Sequence, residues 1–479
     1  MKELPASAGL TTGTPLDPEI RVSSTNPVEP DLFFSASTGF TLLLCLAAAV
    51  CTALAEVSMF RDGSYYFLKM WNTGEPLIAH ARIASQIIEA PLLVVTSQFQ
   101  NFELSRGCFN ATYASIPFLA LFACWLLSRK TQPAIMVWPV VALLASVPCR
   151  PDGISENNIA SVLAWPALFC LVQTPTKLTA IATLVIAGMM AFLHPSSIPF
   201  LLILSIAAFS LYREGGGQKN LRRILAFGLV GLWLFKLVCF IAFPQPYESG
   251  LFNESALRNL IECGLAVPCV ATLVPALFAA LLILLMTTKR IESKVITGIT
   301  IGFLLATGVA GIYWSASVQF WHQCFWYQKV FLFPNMLLML FAYMDSRELL
   351  RKPLSIGFYK SRAFICNMAG LLFACAIMVQ ANSWANLSGE FKRSINENNQ
   401  QIIERSQIHG LNETPLDHWS ACSYGIVLQA KYPCKYVLDS EEAQIARATK
   451  EFRLTPWDRS FTGNYFRLPP NSLTSTLYR

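Results

Sequence analysis

Apolar residues in this chain gather in runs of about 16 to 23, broken by short polar or basic stretches. A helix needs roughly 20 apolar residues to cross the hydrocarbon core of a bilayer. Eleven runs approach that length, at residues 38–57, 110–127, 133–148, 158–173, 178–193, 197–212, 224–243, 265–287, 295–314, 329–344 and 363–381. The pattern predicts an all-α polytopic membrane protein of about eleven transmembrane helices. Residues 1–37, rich in Ser, Thr and Pro and without apolar periodicity, read as a disordered cytoplasmic tail. Ala53-Leu54-Ala55 imitates a signal-peptidase site, but the preceding segment is too long and too poor in positive charge for a signal peptide, so the first run is read as a retained anchor.

Two polar segments interrupt the alternation. Residues 59–108 form a long first loop in which the run at 78–95 is broken by His80, Arg82, Gln86, Glu89 and Pro91, a composition for helices lying at an interface. Residues 383–479 form a separate tail: 384–408 has helical spacing and 424–438 has short apolar runs readable as strands, which predicts a small α/β or α+β domain.

Composition agrees with a membrane protein, with 54% hydrophobic and 14% charged residues, against roughly 25% charged in soluble domains. The net charge of +7 is spread over loop clusters, not gathered in a nucleic-acid-binding face. Placing the N-terminus in the cytoplasm puts Arg129-Lys130, Lys177, Arg213 with Lys219 to Arg223, Lys289-Arg290 and Arg347 to Arg362 on the cytoplasmic side, as the positive-inside rule requires. The first loop and the tail then face outward, a bacterial inner membrane being the expected location. Cys422 and Cys434 share that outer tail and are candidates for a disulfide or for two buried thiols. Sequons at Asn110, Asn253, Asn386 and Asn412 fall on the same side.

Chemistry-bearing residues collect on the outer side. Arg61-Asp62-Gly63-Ser64-Tyr65-Tyr66, with Lys69, follows the first span; Glu75, His80, Arg82 and Glu89 continue the loop. Arg150-Pro151-Asp152-Gly153 with Glu156 forms the second outer loop, His194-Pro195 a short turn, and Trp314, Trp321, His322, Trp326 and Tyr327 an aromatic one. Asp-Gly pairs also mark plain turns, His194 also reads as a cap, and interfacial aromatics also form belts. No Walker loop, GxGxxG, HExxH or CxxC is present.

A carboxylate directly after the first span, a first loop of interfacial helices, about eleven spans and an outer C-terminal domain together resemble the GT-C superfamily of membrane glycosyltransferases. The resemblance is architectural and rests on Asp62, with Asp152 in support; no paired acidic motif stands at Asp62 and no WWD-type motif in the tail. It implies transfer of a sugar, with inversion, from a polyprenyl-phosphate donor to a lipid, glycan or protein acceptor. General-base help of the kind Asp62 could give is worth about 10² to 10⁴ in rate. Arg61, Lys69, His80, Arg82, Arg150 and His194 are candidates to meet the phosphate, and Tyr65, Tyr66, Trp321 and Trp326 to hold sugar or prenyl chain. Asp62 and Asp152 could also share a divalent cation, Mg or Mn. The rival readings are a transporter or flippase of lipid-linked glycans and a non-catalytic membrane assembly partner.

Overall fold

The computed structural model describes residues 28–75, 84–173, 175–215, 218–243, 254–289, 294–351, 355–408, 416, 418–429 and 434–449. Sixteen helices and one two-stranded sheet fill them. In chain order these are α1 (Val28–Leu54), α2 (Asp62–Thr73), α3 (Ser85–Phe99), α4 (Phe102–Ser128), α5 (Val137–Ala145), α6 (Glu156–Val172), α7 (Lys177–Ala191), α8 (Ser197–Arg213), α9 (Lys219–Ala242), α10 (Glu254–Leu265), α11 (Val267–Thr288), α12 (Lys294–Ala316), α13 (Cys324–Arg351), α14 (Ile356–Glu397), β1 (Ile402–Glu404), α15 (His418–Gln429), β2 (Tyr436–Leu438) and α16 (Ser440–Thr449).

Among the described residues seven helices are long and apolar enough to cross a membrane: α1, α4, α9, α11, α12, α13 and α14. The other four apolar runs fold as the shorter helices α5 to α8. All nine residues of α5 are buried and all but one of the 17 in α6, so these two form the centre of the bundle. α1 packs between α4 and α14, α12 between α11 and α14, and α8 against α9. Six of the 24 residues of α9, Ile224, Phe227, Leu234, Phe235, Val238 and Ile241, point outward as large apolar side chains, the pattern of a surface facing lipid, not water.

The ends of the bundle differ. At one end the loops are tied by Thr131 Oγ1 donating to Gln173 Oε1 at 2.5 Å, by Gln132 Nε2 donating to Ser346 O at 3.4 Å, and by an Arg347–Glu214 ion pair. Arg362 belongs here too. It is not a loop cation: on the second turn of α14 it is 1% exposed and grips Asp345 of α13 through two bonds of 2.6 and 2.8 Å. Trp138 Nε1 donates to the same carboxylate at 2.7 Å, and Arg362 also donates to Thr287 Oγ1 and Ala134 O. A charge pair inside such a bundle persists because each partner's remaining bonds are filled.

The opposite end carries a cap. Here α2, α3, the start of α4, the loop into α6, the turn before α13 and the tail share a second core that includes Phe60, Phe67, Phe102, Trp321, Trp384 and Tyr424. The tail is not set off by a linker. α14 runs unbroken for 42 residues, about 63 Å, so residue 383 lies inside a helix, and Trp384, Phe391 and Ile395 are buried on its continuing face. β1 and β2 pair in parallel, Ile403 opposite Val437. The stretch 424–429, readable as a strand, is instead the second half of α15; all residues from Ser420 to Leu428 are buried, and a segment covered on every side shows no period to choose helix from strand. Residues 28–37, assigned to the tail by composition, are the first turns of α1.

Candidate active site at the capped end

α1 ends in a tight reversal. Glu56 and Arg61 both take positive φ, 59° and 52°, flanking the turn Val57–Met59, and α2 starts at Asp62. Gly63 makes the reversal possible: a Cβ there would stand 1.7 Å from the carbonyl oxygen of Ser58. The Asp-Gly pair is thus more than a flexible turn, since Gly63 lets the helix carrying Asp62 press directly on the preceding backbone. Asp62 occupies the first helical position, where the exposed N–H groups favour a carboxylate.

Phe60 anchors the reversal, edge-on to Trp321 at 5.6 Å and to Trp384 at 5.5 Å, with Trp384 tilted against Tyr424 at 4.9 Å. Trp384 Nε1 donates to Glu56 O at 3.0 Å. Arg106 of α4 holds the Glu56 carboxylate at 2.9 Å and Glu103 at 2.6 Å and donates to Val427 O at 3.0 Å. Ser64 meets Ser423 at 2.8 Å. The tail therefore clamps both sides of the segment that presents Asp62.

The second loop lies alongside. Asn158 Nδ2 donates to Cys149 O and Asp152 O, both at 2.7 Å, and Gln328 Nε2 donates to Asp152 Oδ2 at 2.9 Å. Asp152 is 4% exposed, so this carboxylate is a buried brace between the loop and α13. Arg150 binds Ser146 Oγ through Nε at 3.0 Å and Nη2 at 2.6 Å and makes no ion pair among the described residues. Burial pulls its guanidinium down to about 10, which leaves it cationic at neutral pH.

Arg150 stands at a cleft lined by α1 (Ala48, Thr52), α4 (Tyr113, Phe118), the turn residue Ser58, and α14 (Phe373, Ile377, Gln380). The cleft's volume is about 40 Å³, a narrow slot. Its walls are mostly apolar. Gln380, 1% exposed, has an Nε2 with no acceptor, so the slot holds one cation and one unused amide. Tyr113 Oη donates to the buried Glu89 at 3.4 Å on the same flank.

The remaining predicted residues divide. Arg61 Nη1 points at Cys324 Sγ, 3.7 Å away, and its guanidinium lies 5.8 Å from the Phe325 ring centre, which joins the first loop to α13. Tyr65, Tyr66 and Lys69 are half-buried on α2, Lys69 over the Tyr65 ring at 5.7 Å. Trp321 is fully buried between Phe60 and Trp384 and serves packing, not a ligand surface; Trp326 is half-buried beside Lys329. His194 Nδ1 accepts from the Ser196 N–H at 3.1 Å, a turn-capping bond at the start of α8, and the Phe192 carbonyl beside it accepts from Ala84 N at 3.3 Å, which places this turn at the foot of α3. His80 and Arg82 lie outside the described residues. Among the described residues no group of three or more acids, histidines or cysteines could hold a metal ion. Cys422 and Cys434 are buried thiols, not bonded to each other; burial lifts both, Cys434 to about 11, which keeps them protonated and slow to exchange.

Gln328 and Gln380 escaped the sequence reading. Each is an amide at or inside an apolar run, and that was the available signal. No family model, no curated protein and no solved structure matches the chain.

Proposed function

We propose that this chain is an inverting membrane glycosyltransferase of the GT-C type, using a lipid-phosphate-linked sugar at its capped end. The observation that carries the reading is the slot: an unpaired guanidinium, Arg150, at the head of an apolar passage between helices, one turn of chain away from the reversal that presents Asp62. Such a pairing of fixed cation with apolar wall suits an amphiphile whose head is a phosphate. Ser58 connects the two parts, since it lines the slot and its carbonyl is the surface on which Gly63 rests.

In this mechanism the donor phosphate meets Arg150, with the Gln380 amide in reach of the same slot, and the prenyl chain follows the wall of Ala48, Phe118, Phe373 and Ile377. The slot is too narrow for a sugar, so the sugar lies outside it, toward α2. Asp62 takes the proton from an acceptor hydroxyl as that oxygen attacks the anomeric carbon; the bond to the phosphate oxygen breaks on the opposite side, and the polyprenyl phosphate leaves with the negative charge that Arg150 stabilises. Buried Asp152 holds the loop through Gln328 and acts as a positioning residue. By the positive-inside rule the capped end faces away from the cytoplasm.

The test is transfer from a radiolabelled polyprenyl-phosphate sugar by purified full-length protein. Asp62→Asn is expected to lower the rate by about 10² to 10⁴ with unchanged yield and melting temperature, and Arg150→Gln to weaken donor use, with partial recovery in Arg150→Lys. Unimpaired transfer by Asp62→Asn would remove the mechanism.

A further inference from the structure

Arg150 is not the sole cation at the capped end without an ion pair among the described residues. Lys329, on the second turn of α13, has a buried Nζ that finds no hydrogen-bond acceptor among the described residues. Among the described residues, by contrast, buried Arg362 has Asp345, half-buried Arg106 has Glu56, and half-buried Lys435 has the carbonyls of Ile395 and Asn396. Two rings of its own helix face the Lys329 ammonium, Phe325 at 3.8 Å and Trp326 at 4.4 Å from the ring centres. Ring faces attract a cation but accept no hydrogen bonds of ordinary strength, so three N–H donors stay unmatched.

Lys329 lines a groove of about 460 Å³ between α10 and α13, whose other walls are Leu260, Ile261, Leu277, Phe333 and Leu337. The groove opens sideways: Phe333 is 73% exposed and Ile261 52%. α10 is amphipathic and turns Leu257, Ile261 and Leu265 outward on one side, as a helix resting in a bilayer interface does. Successive helix positions diverge by about 100°, and the preceding residue, Gln328, faces Asp152. Lys329 therefore sits to one side of that face, and it lines the flank groove, not the slot of Arg150.

We infer that the groove between α10 and α13 binds a bilayer glycerophospholipid with a net negative headgroup, its phosphate on Lys329 and an acyl chain along Phe333, Leu337 and Ile261. Charge decides the headgroup, since an unmatched ammonium favours an anionic lipid over a zwitterionic one. The open flank decides the source: a site exposed to bulk lipid takes what the bilayer supplies. This site goes beyond the transferase reading and does not depend on it.

The experiment titrates detergent-purified full-length protein with dioleoylphosphatidylglycerol, dioleoylphosphatidylcholine or a prenyl monophosphate, counting retained lipid by native mass spectrometry. Wild-type protein should retain phosphatidylglycerol at a concentration about tenfold lower than Lys329→Met, since the bonds lost are charge-assisted. Lys329→Arg should restore retention, and phosphatidylcholine should not separate the variants. Asp62→Asn and Arg150→Gln should bind phosphatidylglycerol as wild type does, which keeps this outcome separate from the fate of the mechanism. Equal retention by wild type and a Lys329→Met protein of unchanged melting temperature overturns the proposal. So does displacement of phosphatidylglycerol from Lys329 by the prenyl monophosphate at equal concentration.

Discussion

Gly63→Ala puts one methyl group where the structure has no room. The added carbon would lie 1.7 Å from Ser58 O and 2.8 Å from Ser58 C, while side-chain carbons essentially never come closer than 3.0 Å. The start of α2 and the Val57–Met59 turn must part by about 1.3 Å to reach even that limit. The obstacle is backbone, so no rotamer change relieves it, and Ser58→Gly leaves the carbonyl in place. Overpacking of this kind costs about 1–3 kcal/mol, and a rigid backbone obstacle points to the upper part of that range. The same shift moves Asp62, and a 1 Å misplacement of a catalytic group can cost about 10²-fold in rate. Thermal unfolding of the detergent-solubilised protein and sugar transfer would be measured side by side. Gly107→Ala is the control: on α4, with nothing within 4 Å of the new carbon, it should match wild type or gain up to about 1 kcal/mol of helix preference. If Gly63→Ala melts and turns over with wild type, the close approach at Ser58 is wrong, and so is the account of why Asp62 sits where it does.

Asp345→Asn should be among the most damaging single changes at the other end of the bundle, about 3–5 kcal/mol, because it leaves Arg362 buried without its charge partner; Asp345→Leu combined with Arg362→Met should recover much of that in the same unfolding assay. Glu56 supplies a pH signature. Burial lifts its carboxyl above the ordinary 4.5, outweighing the downward pull of Arg106, so the folded chain holds this proton more tightly than the unfolded chain. The stability so gained is fully present below pH 4.5 and is lost as pH rises through the lifted value. Glu56→Gln should flatten that portion of the melting temperature against pH, and an unchanged slope would exclude Glu56 as its source.

The eleven apolar runs were legible because each is long and bounded by polar or basic residues, and each folds as a helix. What apolar counting missed were relations between runs. Arg362 reads as a loop cation until Asp345, 17 residues earlier, is seen on the facing helix with Trp138. The continuity of α14 through residue 383 had a signal: no proline occurs between Pro353 and Pro415, and Trp384, Phe391 and Ile395 keep helical spacing. The change from apolar to polar composition at 383 marks where that helix leaves the bundle, not where it ends. Trp321 reads as an interfacial aromatic because sequence cannot show Phe60 wedged against it. The slot was invisible for the same reason, since Arg150, Ser58 and Gln380 come from three distant segments.

These contacts also change what a tail deletion can reveal. If the chain were an assembly partner, removal of residues 383–479 should abolish function while Asp62 remains dispensable. Yet the cut would remove Trp384, whose ring packs on Phe60 and whose Nε1 holds Glu56 O, together with Val427, which takes a bond from Arg106, and Ser423, which meets Ser64. Each of these braces the reversal from α1 into α2. An enzyme with no catalytic group in its tail would therefore lose activity on truncation as completely as an assembly factor. The deletion cannot separate the two readings; Asp62→Asn does, because it changes one carboxylate at the helix start and leaves the contacts of Trp384, Val427 and Ser423 in place.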